Sequence, residues 1–407
     1  MVKRGRRLPS INMMRHLVVP NHEVEAVLGH IRAREWGAFS FRVFSSKDGK
    51  SRLIPLNPNS PTVLPGELSK YPIEFHKGVF DERIETNWLS LLLQEIDQDV
   101  IDSKSEAWPS NHEFIGDMII VKIDKSVEEY TDSIARAKLG VHPHVRLILA
   151  DDGVQGEFRI RNLRPIGARL SGRILTGPSL DLAPPEILST KVSLKESGRV
   201  IRCDPTRAYF STKLQTERLE TLSLAKELRN RLDRPIRVAD PFCGVGPALA
   251  PLLNEADLVN DLLATDLNPD AVELLFENLS KWDRRPYPKN SISVERLHNN
   301  RIVGLADATK LENYSEIRSN WDLLIINLPH RTIEYLPYLI PLLDRTGPTM
   351  IRGRVIVEES EIFNTNEKIN KLLPPLLSGK PKPSLMIKRD YSPSLRLCSF
   401  QAWIAPE

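Results

Sequence analysis

The sequence predicts an α/β protein: an open, largely parallel sheet closed by a C-terminal antiparallel strand and preceded by smaller α+β domains. Three observations carry that expectation. In residues 236–247 (IRVADPFCGVGP) an apolar run ends in Asp240, turns through Gly244 and Gly246, and enters an apolar stretch at 248–253. That order reads as strand, tight loop and helix. A second run, 262–266 (LLATD), also ends in an acid, Asp266, and is followed by 302–307 (IVGLAD) and 322–330 (DLLIINLPH). Four such units in a row place polar groups at the carboxyl ends of parallel strands, where open α/β sheets bind their ligands. Finally, 349–358 reads as a fifth strand, and 385–389 with 395–404 as a closing antiparallel pair.

The glycine loop is not a dinucleotide fingerprint, because Leu249 stands where a third glycine belongs. Nor does a Gly-Lys-Ser/Thr follow, which excludes a phosphate-binding P-loop. Asp240 reads as a residue that shapes the loop, and Asp266 as the carboxylate placed for a ribose diol.

A chain of 407 residues with 41% hydrophobic content has length for two or three domains. No apolar run approaches the ~20 residues of a membrane span. Residues 1–15 carry Lys3, Arg4, Arg6, Arg7 and Arg15 without the apolar centre of a signal peptide. The three cysteines, Cys203, Cys243 and Cys398, lie far apart with no metal-ligand spacing. A reduced, cytoplasmic compartment and no metal site are the expectations. The net charge of +3 excludes little, but Arg159, Arg161, Arg164, Arg169 and Arg173 cluster. They and the basic start either track phosphates or form solvated faces.

Four segments are expected in order. Residues 1–62 form a small α/β domain, with a strand at 16–20, a helix capped by Asn21 through Arg32, and a hairpin of 39–44 with 51–56. Residues 63–107 read as a linker followed by a mainly helical connector. Residues 108–211 form an α+β middle domain: one strong strand at 114–123, a helix at 130–139, strands at 145–149 and 157–161, a loop insertion at 171–190, and strands at 192–194 and 199–203. The sheet domain, 212–407, opens with an amphipathic helix at 212–232 whose apolar face is Leu214, Leu219, Leu222, Ala225, Leu228 and Leu232. Residues 283–300 are a polar excursion between its second and third strands.

The strand-and-acid pattern resembles the class I S-adenosylmethionine-dependent methyltransferases, with their Rossmann-like sheet. Four further segments narrow the resemblance: GEFRIR at 156–161, YFSTKLQTER at 209–218, NLPH at 327–330 and DYSP at 390–393. Together they are similar to the archaeal and eukaryotic tRNA (guanine-37-N1)-methyltransferases, often called Trm-five, which share a superfamily with wyosine-pathway enzymes. The resemblance runs from about residue 108 to 404. It is looser over 13–57, which looks like a small domain that contacts tRNA. It implies a monomeric RNA-binding enzyme of tRNA processing, without membrane contact, that methylates N1 of guanosine 37 using S-adenosylmethionine. Two alternatives stand beside it: a wyosine-branch transferase acting at the same position, by aminocarboxypropyl transfer or carbon methylation, and a non-catalytic RNA-binding protein. Asn327-Leu328-Pro329 and Thr216-Glu217-Arg218 resemble the methylating branch.

The resemblance places the base that removes the N1 proton at Glu217, with Arg159 as partner of the guanine O6. The residues alone leave open that Glu217 is a first-turn carboxylate that caps a helix start, and Arg159 a phosphate contact. Strand alternation puts Arg161 on the same face, so it is an alternative to Arg159 and a substrate-binding candidate. Asn327 and Pro329 would floor the guanine site, Asn327 also bordering the cofactor. Gly244 and Gly246 would flank its methionine moiety, Asp266 its ribose and Asp307 its adenine. Tyr209 and Arg218 are substrate-binding candidates; Tyr209 either stacks on a base or the cofactor, or packs in the core. Cys243 is a small residue, since displacement at a sulfonium carbon needs no enzyme nucleophile.

Overall fold

Alternating apolar residues near the start of the chain build a four-stranded antiparallel sheet. In the computed structural model, which describes residues 13–34, 36–38, 41–58, 60–79, 87–156, 158 and 160–407, its strands are β1 (Met13–Pro20), β2 (Phe44–Ser45), β3 (Ser51–Pro55) and β4 (Ile73–Lys77), in the order β2-β3-β1-β4. Helix α1 (Val24–Ala33) sets Val27 and Ile31 against Leu17, Val19, Ile54 and Leu56. Asn21 does not cap α1; its amide donates to Gly49 O at 2.9 Å across the hairpin, and Glu23 holds the cap position. Of the expected hairpin, residues 39–40 lie outside the described residues. Strand β4 corrects the reading of 63–107: Ile73 pairs with Leu17 and Lys77 with Met13, so the N-terminal sheet runs past residue 62. The alternation of Ile73-Glu74-Phe75-His76 was its signal, but it is too short to stand out.

Contacts divide the chain into two compact units, one taking it up to Gln98 together with Gly140–Pro143, the other holding Asp99–Leu139 and His144–Glu407. Short helices α2 (Trp88–Leu92) and α3 (Gln98–Ser103) precede the middle sheet. There, the single strand expected over 114–123 is two, β5 (Glu113–Ile115) and β6 (Met118–Val121), because Gly116 turns the chain at φ 60°. Helix α4 (Thr131–Val141) crosses over to β7 (Leu147–Gln155), parallel to β6, and β8 (Ile160–Leu170) and β9 (Arg173–Thr176) complete the order β5-β6-β7-β8-β9. The stretch 171–190 is therefore not a plain loop: it holds β9, a 3-10 turn at Gly177–Leu182 and helix α5 (Pro185–Leu188). Strands β10 (Val192–Glu196) and β11 (Arg199–Cys203) form a separate antiparallel pair.

The sheet domain starts with α6 (Gln215–Leu232) and continues through β12 (Ile236–Asp240), α7 (Leu249–Asn254), β13 (Val259–Asp266), α8 (Pro269–Asp283), β14 (Glu295–His298), β15 (Arg301–Leu305), β16 (Leu323–Ile326), α9 (Thr332–Leu339), β17 (Thr349–Glu358), α10 (Ile362–Leu372), β18 (Met386–Asp390) and β19 (Leu395–Ile404). The strand order is β14-β15-β13-β12-β16-β17-β19-β18. Strands β15, β13, β12, β16 and β17 are parallel, and β19 runs against β17 and β18. This is the class I methyltransferase arrangement, with the sheet reversing direction of construction at β12 and β16. Part of the 283–300 excursion adds β14 as an antiparallel edge.

One apolar cluster runs from the middle domain (Ile115, Leu147) through Ile201 and Phe210 into the sheet domain (Leu228, Val238). The platform carrying the site is thus continuous with its floor. Helix α6 departs from its expected face: Leu219 is exposed, and the side chains buried in its first two turns are Glu217, Arg218 and Thr221. Only toward its end do Ala225 and Leu228 restore an apolar face.

Candidate active site

Strand β12 delivers Asp240 at its end and then the glycine loop. Gly244 and Gly246 both take positive φ, 54° and 87°, a conformation that side chains disfavour. Their surroundings differ. A Cβ on Gly246 would meet Leu275 Cδ1 at 2.9 Å, so that glycine serves helix–loop packing. A Cβ on Gly244 would meet only Tyr209 O, at 3.9 Å, which leaves its face open to a ligand.

Asp266, at the end of β13, closes over this loop. Its Oδ2 accepts from Gly244 N at 2.8 Å and its Oδ1 from Asn268 N at 2.9 Å. Each carboxylate oxygen retains acceptor capacity. Burial pushes its pKa up, against the pull of the backbone N–H groups. Asp307 is half-buried at the end of the β15 segment and caps the following 3-10 turn through Thr309 N (3.0 Å) and Thr309 Oγ1 (2.7 Å). Burial raises its pKa, and those hydrogen bonds outweigh it and hold the carboxyl below its ordinary value. The residues expected to hold a cofactor therefore line the carboxyl ends of three adjacent strands, as the topology requires.

Asp240 is the loop-shaping residue. It is 1% exposed, and among the described residues its Oδ1 accepts from Phe242 N at 3.3 Å while its Oδ2 has no hydrogen-bond partner. Burial lifts its pKa to about 7, opposed by the Phe242 N–H; the Asp266 charge adds to the rise and Arg354 opposes it. A carboxyl raised above its unfolded value binds an extra proton in the folded state, so stability falls as pH rises from about 4 to 7. Asp240→Asn should remove that loss. Unfolding free energies of the two proteins from urea titration should separate in favour of Asp240→Asn by roughly 3–4 kcal/mol between pH 4 and pH 8. A difference independent of pH would contradict this.

Glu217 sits in the first turn of α6 but does not behave as an exposed cap: it is 6% exposed. Its Oε2 lies 2.8 Å from Arg354 Nε. The same guanidinium donates from Nη1 to Asn327 Oδ1 at 2.7 Å. Base candidate and strand-end amide are thereby joined through one residue that the sequence reading did not single out. Its signal was Arg352 and Arg354 two apart in an interior strand that should be apolar. Pro329 follows on the same turn, its carbonyl accepting from Ile356 N at 2.9 Å. His330 Nε2 lies 3.2 Å from the Tyr391 hydroxyl, which brings the DYSP segment beside the NLPH segment.

Tyr209 is 46% exposed beside the glycine loop, so the core-aromatic alternative falls. Arg218, expected at the substrate, is instead enclosed: 3% exposed, its Nη1 on both Glu196 oxygens (2.6 and 2.8 Å), its Nη2 on Ser211 O, and its guanidinium 5.3 Å from the Phe210 ring centre. It buttresses the start of α6, because a buried guanidinium is kept only by full pairing. Arg161 is tied to Glu113 at 2.7 Å in the middle domain. Arg159 lies outside the described residues. Burial drives the Cys243 thiol well above its ordinary pKa, reinforced by Asp240 and Asp266, so it stays protonated. Among the described residues no group of three or more His, Cys, Asp or Glu is placed to hold a metal, and no helix is long and apolar enough to cross a membrane.

Comparison with known proteins agrees with this arrangement. Residues 92–167 match the TYW2 N-terminal domain and 192–366 the TRM5/TYW2 methyltransferase domain. A Pyrococcus abyssi tRNA (guanine(37)-N(1))-methyltransferase, Trm5b, is 28% identical over 240 residues, covering 59% of this chain and 58% of that relative. The chain thus aligns with under two thirds of its relative's length. The crystal structure of Pyrococcus abyssi Trm5b superposes with a TM-score of 0.58 at 21% identity, covering 97% of this chain and all of the other. The complex of aTrm5 with tRNALeu gives a TM-score of 0.59 at 18% identity over 96% and 99% of the two chains. The chain thus carries a TRM5/TYW2 methyltransferase domain over residues 192–366, preceded by a match to the TYW2 N-terminal domain, and shares its fold with Trm5b along nearly its whole length.

Proposed function

We propose that this protein is an S-adenosylmethionine-dependent tRNA methyltransferase that modifies N1 of guanosine 37. The observation that carries the reading is the buried Glu217, joined through Arg354 to Asn327 beside the open face of Gly244. Similarity to tRNA (guanine(37)-N(1))-methyltransferases supports the substrate.

S-adenosylmethionine, when bound, would supply an electrophilic methyl carbon, whose bond to the sulfonium sulfur would break with its electron pair leaving on S-adenosylhomocysteine. Gly244 and Asp266 would hold it, with Asp307 toward the adenine; the open face of Gly244 and the remaining lone pairs of Asp266 fit that group. Neutral guanine carries a proton on N1, so the N1–H bond must break as the new N1–carbon bond forms. Glu217 takes that proton, the N1 electron pair attacks the methyl carbon, and the charge that develops toward O6 needs a cation. Arg159 is the residue we assign to O6, with Tyr209 stacking on an exposed base and Asn327 and Pro329 supporting its edge. The enclosed Arg161 and Arg218 are assigned structural roles. A cytoplasmic monomer completes the reading.

Incubation with radiolabelled S-adenosylmethionine and a tRNA transcript tests the substrate. Label should enter a transcript with guanosine at position 37 and not one with adenosine there; equal labelling of both would refute the assignment. The N-terminal unit is the proposed second tRNA contact. Deleting residues 1–86 should raise the tRNA Kd and flatten its salt dependence while leaving cofactor affinity unchanged, as measured by filter binding and calorimetry. Unaltered tRNA affinity in that variant would remove the unit from the interface.

A further inference from the structure

We propose that Arg354 is the positioning residue of the base site: it anchors Glu217 Oε2 and Asn327 Oδ1 together, so that Glu217 Oε1 alone is presented to the proton on guanine N1. The proposal rests on the assignment of Glu217 as base. Arg354 is 7% exposed in the middle of β17, between Gly353 and Val355, where an apolar side chain would be the ordinary occupant. Its guanidinium bridges α6 and the end of β16, with Nε 2.8 Å from Glu217 Oε2 and Nη1 2.7 Å from Asn327 Oδ1. The contact with Arg354 is an ion pair and not an aligned hydrogen bond: Glu217 Oε2 is buried and accepts no hydrogen bond from any described residue, so the charge of Arg354 is what holds that oxygen.

The backbone around Arg354 is fixed to the same turn. Thr332 Oγ1 donates to Arg354 O at 2.5 Å and lies 2.9 Å from Leu328 O, and Ile356 N donates to Pro329 O at 2.9 Å. The strand thus secures residues 327–332 from below while its arginine reaches across to the base. A glutamate has three rotatable bonds, and holding one oxygen removes most of that freedom before substrate arrives.

The neighbouring charges leave Arg354 to this task. Arg352, on the same face of β17, pairs with Glu220 at 2.7 Å, and Lys388 from β18 lies 2.6 Å from the same carboxylate. Arg218 on α6 is taken by Glu196. Asp240 on β12 also acts on Arg354 through space, as Glu217 does on Arg352. Burial disfavours a carboxylate charge and an adjacent guanidinium favours it. Removing Arg354 therefore takes the nearest guanidinium away from the Glu217 carboxylate.

Single-turnover methylation of a guanosine-37 transcript, measured against pH at saturating S-adenosylmethionine, is the test. For Arg354→Met the acid limb of the profile should move to higher pH, with a loss on the order of 10²-fold near pH 6.5 that narrows toward pH 9. Arg354→Lys, which keeps a cation, should recover at least about tenfold of that loss. Should Arg354→Met not fold, Arg354→Gln removes the charge while keeping a donor for Asn327, and the same limb is read. An acid limb that stays at its wild-type position overturns the proposal, whatever the size of the rate change. Glu217→Gln separates the two claims: if that variant is fully active the base assignment fails, and if it is inactive while the Arg354 variants leave the limb in place, only the positioning role fails.

Discussion

Glu217→Gln slows the chemical step by about 10²–10⁴, the usual worth of a general base, while tRNA and cofactor binding persist. The substitution preserves size and an oxygen to face Arg354 but removes proton affinity. The side chain is 6% exposed, so water does not readily replace it at N1. The loss should shrink as pH rises, because free guanine surrenders its N1 proton in alkali. The variant also leaves the Arg354 guanidinium buried without its counterion, which costs stability. Single-turnover rates at a temperature well below the variant's unfolding transition therefore measure the chemistry cleanly. A near-normal single-turnover rate would reduce Glu217 to a buried helix-start residue.

Asp266→Ala is the second large effect, and it falls on cofactor binding. The carboxylate organises the glycine loop through Gly244 N and the α8 start through Asn268 N, and its remaining lone pairs can accept from a ribose diol. Losing two charge-assisted hydrogen bonds at about 1.5–3 kcal/mol each weakens binding by roughly 10²–10⁴. Stability moves differently. Burial raises the Asp266 pKa, so holding it ionised is unfavourable for the fold, and Asp266→Asn should match or exceed the wild-type melting temperature while binding S-adenosylmethionine more weakly. Calorimetric titration gives the affinity and scanning calorimetry the stability. Wild-type affinity in both variants would move the ribose contact away from β13.

The parallel strands were legible because each announced itself twice, as an apolar run and as the acid or amide that ended it. That is why Asp240, Asp266, Asp307 and Asn327 all stand at strand ends. The base site was only half legible. Glu217 and Asn327 came from resemblance to a family, and nothing local said that α6 buries its first turns, since Leu219 and Leu222 suggested an apolar stripe. The missing information lay far away in sequence: the polar face of α6 is sustained by Arg352 and Arg354 on β17, by Glu196 on β10, and by Lys388 on β18. Periodicity within a helix cannot report partners on other strands. Two buried arginines at strand spacing were the one sequence signal, and a charged pair in an interior strand implies opposite charges on whatever packs against it. The same limit explains Arg218. Its family position suggested substrate contact, whereas its guanidinium is consumed by Glu196 and Ser211. In the middle domain the misreading was local, since Gly116 broke a continuous apolar run into two strands.

The chemical identity of the product tests the assignment of guanosine N1 most directly. A tRNA transcript carrying guanosine at position 37, incubated with the protein and S-adenosylmethionine, digested to nucleosides and analysed by mass spectrometry, should yield N1-methylguanosine from that position. An aminocarboxypropyl adduct, methylation confined to a preformed tricyclic base, or an unmodified guanosine 37 would contradict it.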